Sequence, residues 1–423
     1  MPFVLLIGAA ILLAVGVPVF VAILAPTLLT FDLFGPGLPA FTLVQKMVQG
    51  INKFSLLAVP LFIYAAAIIS NGQIGKRLVA LVESCLGHLT GGVAIATIVS
   101  CGLFGALSGI GQAAIVSIGP IVYPLLIRQG YSPGFSVGLL LCASTLSMLI
   151  PPGIAMILYS LQSMSSVGDV FLAGLAAGLL FILVMSLYAY VYARLKGLRG
   201  AERQSWHQRL EALRRAGWAL GLPLIIFGGI YSGVFTPTEA AACACVYAIF
   251  VECVVYRNLD LKSLLKVSTG SASIIAGIMI LLTAGAALSY YLTLENIPGL
   301  VAELLAGRSP FEVMLYLNLV FLVTGMFIDP NSTVIVLTPI VYPAAMQLGM
   351  DPVHLGAVVT MTIAIGMITP PFGINIFVGM VTFNVSYIQL VKSTLPFILL
   401  ALITLLIINL SPELILWLPA HLG

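Results

Sequence analysis

The chain has 423 residues, of which 61% are apolar and 7% charged, with a formal net charge of +3 and a mean hydropathy of +1.17. A soluble globular chain carries roughly 25% charged residues, so this composition excludes a soluble enzyme, a nucleic-acid-binding protein and a disordered chain. It indicates an integral membrane protein whose spans are apolar runs of about 20 residues in a lipid bilayer.

The N-terminus has no basic region and its apolar stretch outruns the core of a signal peptide, so residues 3–24 read as a retained first span. Ten further apolar runs follow, at 54–71, 91–127, 132–163, 169–194, 216–234, 238–256, 268–291, 310–346, 352–382 and 393–417, almost all long enough for a helix. Two of them, 91–127 and 310–346, are 37 residues long with a polar or Gly-rich centre, at Ser108-Gly109-Ile110-Gly111-Gln112 and at Asp329-Pro330-Asn331-Ser332-Thr333. That pattern predicts a re-entrant helical hairpin whose tip stops inside the membrane. Runs 132–163 and 352–382 are interrupted by Pro151-Pro152 and Pro370-Pro371. A proline pair removes two backbone donors and ends a helix, which predicts two broken helices. The one hydrophilic linker, 194–215, sets seven Lys and Arg against Glu202 and Glu211. It reads as a cytoplasmic loop under the positive-inside rule, and it also offers a basic patch to phospholipid. The six cysteines sit mostly in apolar runs and read as small, reduced hydrophobes.

The chain repeats itself. Shifted by 219, residues 120–152 align without a gap on 339–371, and every proline in one window falls on a proline in the other. Pro120-Ile121-Val122-Tyr123-Pro124 matches Pro339-Ile340-Val341-Tyr342-Pro343, and Pro151-Pro152 matches Pro370-Pro371. Counting each hairpin as re-entrant and each broken helix as one crossing puts the N-terminus, 72–90, 128–131, 194–215, 257–267 and 383–392 on one face. That face holds 14 of the 17 Lys and Arg residues, so it is read as cytoplasmic. The two hairpins then enter from opposite faces. The predicted fold class is therefore an all-α polytopic membrane protein with inverted repeats, and paired interrupted helices in inverted halves point to the midplane binding site of a secondary transporter.

At such breaks, half-helix N-termini suit an anionic group and unwound carbonyls suit a small cation such as Na⁺. The candidates are Ser108, Gly109, Gln112, Ser144, Ser147 and Pro151-Pro152 in the first half. In the second they are Asp329, Asn331, Ser332, Thr333, Gly366, Thr369 and Pro370-Pro371. Asp329 is the acidic residue inside a hairpin; it reads equally as a helix cap and as a cation ligand. Glu239, in Thr236-Pro237-Thr238-Glu239, reads as a capping element. The four histidines form no metal-spaced pair, and Gly72-Gln73-Ile74-Gly75-Lys76-Arg77 lacks the spacing and hydroxyl of a P-loop. No enzymatic or ATP-binding motif is present, and no cofactor is predicted beyond Na⁺ as coupling ion.

Six short stretches carry a resemblance: Leu57-Ala58-Val59-Pro60-Leu61-Phe62-Ile63, Gly87-His88-Leu89-Thr90-Gly91-Gly92, Ile150-Pro151-Pro152, Phe235-Thr236-Pro237-Thr238-Glu239-Ala240-Ala241, Gly325-Met326-Phe327-Ile328-Asp329 and Thr369-Pro370-Pro371-Phe372-Gly373. In this order and spacing the chain resembles, over essentially its full length, the large membrane subunit of tripartite ATP-independent periplasmic (TRAP) transporters. The resemblance implies a sodium-driven importer of organic acids in a bacterial inner membrane, with an elevator-type transport domain. It also implies two partners, a small four-helix membrane subunit and a periplasmic substrate-binding protein. With the first span beginning at residue 3, the small subunit is expected to be a separate chain. The first hairpin departs from the family's usual Ser-Gly-Ser-Ser, reading Ser108-Gly109-Ile110-Gly111.

On this reading Ser108, Gly109, Ser147, Pro151 and Pro152 form one sodium site and Gly325, Asp329, Gly366, Thr369 and Pro370 a second. Substrate falls to Gln112, Ser144, Asn331, Ser332 and Thr333. Residues 91–163 and 310–382 are the transport-domain repeats; 1–90, 164–309 and 383–423 are the scaffold. Two other readings stand beside it: a self-sufficient sodium-coupled divalent-anion carrier, and a non-transporting membrane scaffold or assembly protein.

Overall fold

The computed structural model describes residues 2–34, 37–39 and 41–422, and every regular element among them is helical. Among the described residues eight helices are long and apolar enough to cross a membrane, with a ninth if Phe41–Ile51 and Phe54–Ser70, bent by 62° at a short break, count as one span.

The first hairpin consists of helices Gly92–Ser108 and Gly111–Arg128, the second of Pro310–Phe327 and Pro330–Gln347. Their arm ends correspond at the 219-residue offset: Ser108 to Phe327, Gly111 to Pro330, Arg128 to Gln347. The broken helices follow, as Pro133–Ser144, Leu146–Leu149 and Ile154–Ser163 in the first half and as Pro352–Gly366 and Ile374–Phe383 in the second. Past the proline pairs, both of which are cis, the offset becomes 220. Gly153 and Gly373 both precede the outer half-helix, Met164 and Asn384 both end it in the left-handed region, and Ser166 and Ser386 both start the next helix. Phe372 is the inserted residue. The repeat thus extends beyond the window legible in the sequence, interrupted by one residue.

The packing is reciprocal. Tyr387–Leu410, which follows the second break, packs on Pro133–Ser144 of the first half, and its counterpart Val167–Leu195 packs on Pro352–Gly366 of the second. Ile154–Ser163 packs on Pro330–Gln347, and Ile374–Phe383 on Gly111–Arg128. Each contact recurs with the halves exchanged, as a two-fold relation requires. Between the hairpins lie the spans Pro133–Ser163, Val167–Leu195, Trp206–Tyr231, Pro237–Val255 and Leu261–Leu294. That odd number of crossings inverts the second half relative to the first.

The N-terminal segment differs from the expected single span at 3–24. It forms two helices, Pro2–Ala14 and Val19–Phe34, separated by a break containing Gly16 at φ +85°. The second folds back on the first, so that a Cβ on Gly8 would touch the Pro26 ring at 3.4 Å. Pro18 and Gly16 end the first helix, and Gly8 lets the two backbones approach. The fold-back removes the crossing from which a cytoplasmic N-terminus was read. The basic asymmetry is unaffected, since residues 1–45 contain no Lys or Arg. The linker also differs: a Ser205–Gln208 capping box starts the helix Trp206–Pro223 inside the hydrophilic stretch, before the apolar run begins.

Thr236 and Glu239 form the capping box that the sequence indicates, at the start of Pro237–Phe250. A second cap is built across the chain. Glu252, fully buried near the end of the same span, accepts hydrogen bonds from the backbone N–H groups of Gln73 (2.8 Å) and Ile74 (2.9 Å). These groups open the amphipathic helix Ile74–Leu86. Gly72 leaves room for this contact: a Cβ would lie 2.0 Å from the Glu252 carboxylate and displace it.

Two predictions follow from this topology. Single cysteines at the equivalent exposed positions Arg128 and Gln347 will label from opposite sides of the membrane, in intact cells against inverted vesicles; labelling from the same side would break the inversion. A Gly8→Cys, Pro26→Cys pair will crosslink within one chain, whereas a single straight span would hold the two far apart.

Candidate functional site

The two hairpin tips meet. Gly109, Ile110, Gly111 and Gln112 of the first and Asp329, Pro330 and Asn331 of the second line a cavity of about 80 Å³, with Met148, Ile154, Ala155 and Met367 completing it. Four pairs in this lining are separated by 219 residues: Ile110 and Asp329, Gly111 and Pro330, Gln112 and Asn331, Met148 and Met367. The cavity therefore sits on the pseudo-two-fold axis. It has room for a few water molecules or an ion.

The two sides of the cavity differ electrostatically. At the second tip Asp329 caps its half-helix, its Oδ1 accepting from the N–H groups of Asn331 and Ser332 at 3.1 Å each and its Oδ2 from the Ser332 hydroxyl. Thr333 turns its hydroxyl back to the Asp329 carbonyl at 3.0 Å. Ser332 and Thr333 are thus buried in the cap and do not line the cavity. At the first tip Ile110 stands where a cap would, and it gives Gly111–Arg128 no side-chain hydrogen bond. One helix N-terminus at this cavity is compensated by a carboxylate and the other keeps its positive end open.

Behind the first tip, Gly109 lies so close to the proline break that a Cβ would sit 2.3 Å from the Pro152 carbonyl oxygen, and Gly105 abuts Ser147. Ser108 and Ser147 are 2% and 0% exposed, and their hydroxyls have no hydrogen-bond partner. An unpaired buried hydroxyl costs about 1–3 kcal/mol; a hard cation would use both oxygens. Pro151 and Pro152 are buried. In the second half, Gly366 meets the Gly325 backbone, where an added Cβ would lie 2.8–3.1 Å from Gly325 atoms. Thr369 donates its hydroxyl to the Ile365 carbonyl at 2.7 Å. Pro370 is half-buried, Pro371 is exposed, and Phe372 is 54% exposed against the Phe327 ring.

Asn375 was not singled out from the sequence. It is fully buried one helical step past the second break, where it donates to Ser144 Oγ at 3.0 Å and leaves its own Oδ1 unpaired. Ser144 in turn donates to the Leu141 carbonyl at 2.6 Å. The pair joins the broken helices of the two halves directly behind Gly111, whose Cβ would lie 3.4 Å from the Asn375 amide nitrogen. The available signal was an amide inside the apolar run Ile374-Asn375-Ile376. Among the described residues no group of three or more His, Cys, Asp or Glu is placed to hold a metal ion.

Residues 6–414 match the family described as the tripartite ATP-independent periplasmic transporter, DctM component. The chain is 38% identical over 410 residues to the ectoine TRAP transporter large permease protein TeaC of Halomonas elongata, covering 96% of each chain. It is 38% identical over 397 residues to the C4-dicarboxylate TRAP transporter large permease protein DctM of Pseudomonas aeruginosa, covering 93% of each. Its fold is similar to that of the Alcanivorax borkumensis YdaH transporter, with a TM-score of 0.65 at 15% identity over 91% of this chain and 90% of that one.

The close backbone approach predicts an asymmetry between two glycines. Gly366→Ala will destabilise the protein by about 1–3 kcal/mol through overpacking, whereas Gly325→Ala, whose Cβ would find ordinary contacts at 3.5–3.6 Å, will be tolerated in a thermal unfolding assay. Asn375→Ala and Ser144→Ala will each lower stability, and a double-mutant cycle will show coupling between them; additive losses would mean that the hydrogen bond is not a working contact.

Proposed function

The chain belongs to the DctM-component family of tripartite ATP-independent periplasmic transporters, a membrane permease family and not one of enzymes, and we propose that it is the permease subunit of a sodium-driven importer of organic acids. It would work with a small four-helix membrane subunit and a periplasmic substrate-binding protein in a bacterial inner membrane, with the basic face toward the cytoplasm. The observation that carries this reading is the single cavity at which both hairpin tips meet, open on one side to an uncapped helix N-terminus and backed by two unpaired buried hydroxyls.

In this reading a substrate carboxylate faces the N-terminus of Gly111–Arg128, with Gln112 and Asn331 as polar neighbours. Ectoine and C4-dicarboxylates, the compounds in the relatives' names, both carry a carboxylate. A bare anion at the midplane is costly to desolvate, and an adjacent cation offsets that cost. Na⁺ would bind Ser108, Ser147 and the carbonyls of Gly109 and the Pro151-Pro152 break, and in the second half the carbonyls at Gly325, Gly366, Thr369 and Pro370. Asp329, both of whose oxygens are engaged in the cap, serves there as the cap. A cavity of about 80 Å³ is smaller than the 300–1,000 Å³ of a typical ligand pocket, so substrate entry requires the tips to part.

An elevator motion would carry residues 91–163 and 310–382 against a scaffold. The packing favours a larger moving body than the sequence reading, which left 164–309 and 383–423 to the scaffold. A Cβ on Gly138 would lie 2.1 Å from the Ser393 carbonyl oxygen, and one on Gly174 2.9 Å from that of Leu149. Backbones this close do not slide past each other, so Val167–Leu195 and Tyr387–Leu410 travel with the repeats. The scaffold is then built around Leu261–Leu294, which packs on Val19–Phe34, Phe41–Ile51 and Ala58–Ser70.

The test is initial uptake in proteoliposomes holding the chain and its small subunit. Uptake will require Na⁺ and the binding protein. Ser108→Ala, Ser147→Ala together will raise the Na⁺ concentration needed for half-maximal rate, by roughly tenfold for the loss of about 1.4 kcal/mol of ion binding. Asp329→Asn, which can still cap, will retain uptake that Asp329→Ala loses. Full uptake with K⁺ in place of Na⁺ would falsify sodium coupling, and uptake without the binding protein would favour the self-sufficient carrier.

A further inference from the structure

On the basic face, helix Trp206–Pro223 packs along the amphipathic helix Ile74–Leu86. Between them lies a cavity of about 630 Å³ lined by Leu81, Cys85, Trp206, His207, Arg209, Leu210 and Leu213. The lining is apolar except at His207 and Arg209, and the Nε and Nη2 atoms of Arg209 are shielded with no hydrogen-bond partner. The Arg209 guanidinium is half-buried and keeps its proton, and its two shielded nitrogens lack an acceptor that an anion would supply. The carboxylates in reach of this helix pair, Glu83 and Glu211, line a separate polar groove with Lys76, Arg77 and Arg215, and Glu211 is paired with Arg215 at 2.5 Å. Trp206 is 82% exposed and Leu210 65%, an indole and an aliphatic side chain at the level where a membrane protein meets headgroups. Seven Lys and Arg against two Glu in residues 194–215 give the surroundings a positive field.

We propose that this cavity holds one anionic phospholipid of the leaflet on the basic face. Its phosphate accepts from the Arg209 guanidinium, a planar fork of donors suited to an anion, and an acyl chain lies against Leu81, Leu210 and Leu213. A phosphate alone would satisfy the guanidinium but leave the apolar wall bare; a detached acyl chain would do the reverse. Phospholipid joins the two requirements in one molecule, and the surrounding cations select an anionic headgroup over a zwitterionic one. The site stands apart from the cavity at the hairpin tips and does not depend on the transport reading.

The experiment uses the full chain with Trp218→Phe and Trp417→Phe, leaving Trp206 as the one indole, in phosphatidylcholine nanodiscs. Phosphatidylglycerol brominated on its acyl chains is compared with equally brominated phosphatidylcholine at the same mole fraction. Trp206 will be quenched as though phosphatidylglycerol were enriched beside it by roughly fivefold. Arg209→Gln will abolish the preference and Arg209→Lys will keep part of it. Arg214→Gln, which removes the same charge from an exposed side chain outside the cavity, will leave it intact. Glycerol phosphate in the buffer will not compete. Equal quenching by the two lipids, or a preference that survives Arg209→Gln, overturns the proposal. Displacement by glycerol phosphate overturns it in favour of a soluble anion site. Loss of the preference when the small subunit is added overturns it in favour of a protein occupant.

Discussion

A helix interrupted inside a bilayer leaves amide and carbonyl groups that lipid cannot satisfy, and such backbone survives only where protein surrounds it. The two repeats interrupt their helices at four places, at two hairpin tips and two proline breaks, and each half lacks the material to enclose its own. The reciprocal packing answers that shortage. The helix following each break covers the broken helix of the other half, so neither half is complete without its counterpart. The cavity on the pseudo-two-fold axis is a product of the same exchange: it forms where two unfinished ends are closed against each other.

The symmetry of the backbone is not matched by the side chains. Ile110 and Asp329 occupy equivalent positions, yet one leaves a helix end bare and the other caps it with a carboxylate. The first proline pair is enclosed while the second lies partly open beside Phe372. Ser108 and Ser147 leave unpaired hydroxyls beside the first tip and break, and the close backbone contact of Gly366 with Gly325 lies in the second half. A duplicated scaffold has thereby acquired two chemically distinct sides, which is the condition for binding two ligands of opposite charge next to each other.

Much of this was legible in the sequence because prolines and glycines carry positional meaning. They fix where helices end, and the recurrence of Pro120, Pro124, Pro133, Pro151 and Pro152 after 219 residues exposed the repeat, the hairpins and the breaks together. The crossing count then gave the inversion. Composition hides what depends on a partner distant in sequence. The fold-back at Gly16 sits in a run that is apolar on both sides of the turn, so hydropathy joins the two helices into one. Asn375 reads as a stray amide until Ser144, 231 residues away, is placed beside it. Glu252 has its partners far away in sequence, the backbone N–H groups of Gln73 and Ile74. The hydroxyls of Ser332 and Thr333, beside a break, are bonded to the nearer Asp329, a pairing that the residue types alone do not announce.

The bond from Glu252 to the start of Ile74–Leu86 has a mechanical meaning. An amphipathic helix lying in the interface would ordinarily ride at whatever height the lipid sets. This one is pinned at its first turn to the end of a transmembrane span, so it can pivot but cannot rise or sink on its own. The first hairpin begins only six residues past the end of that helix. Its starting depth is therefore referenced to protein and not to the bilayer surface. In a thicker or thinner membrane the mismatch falls on the lipid around the molecule, and the alignment of the two tips is left unchanged.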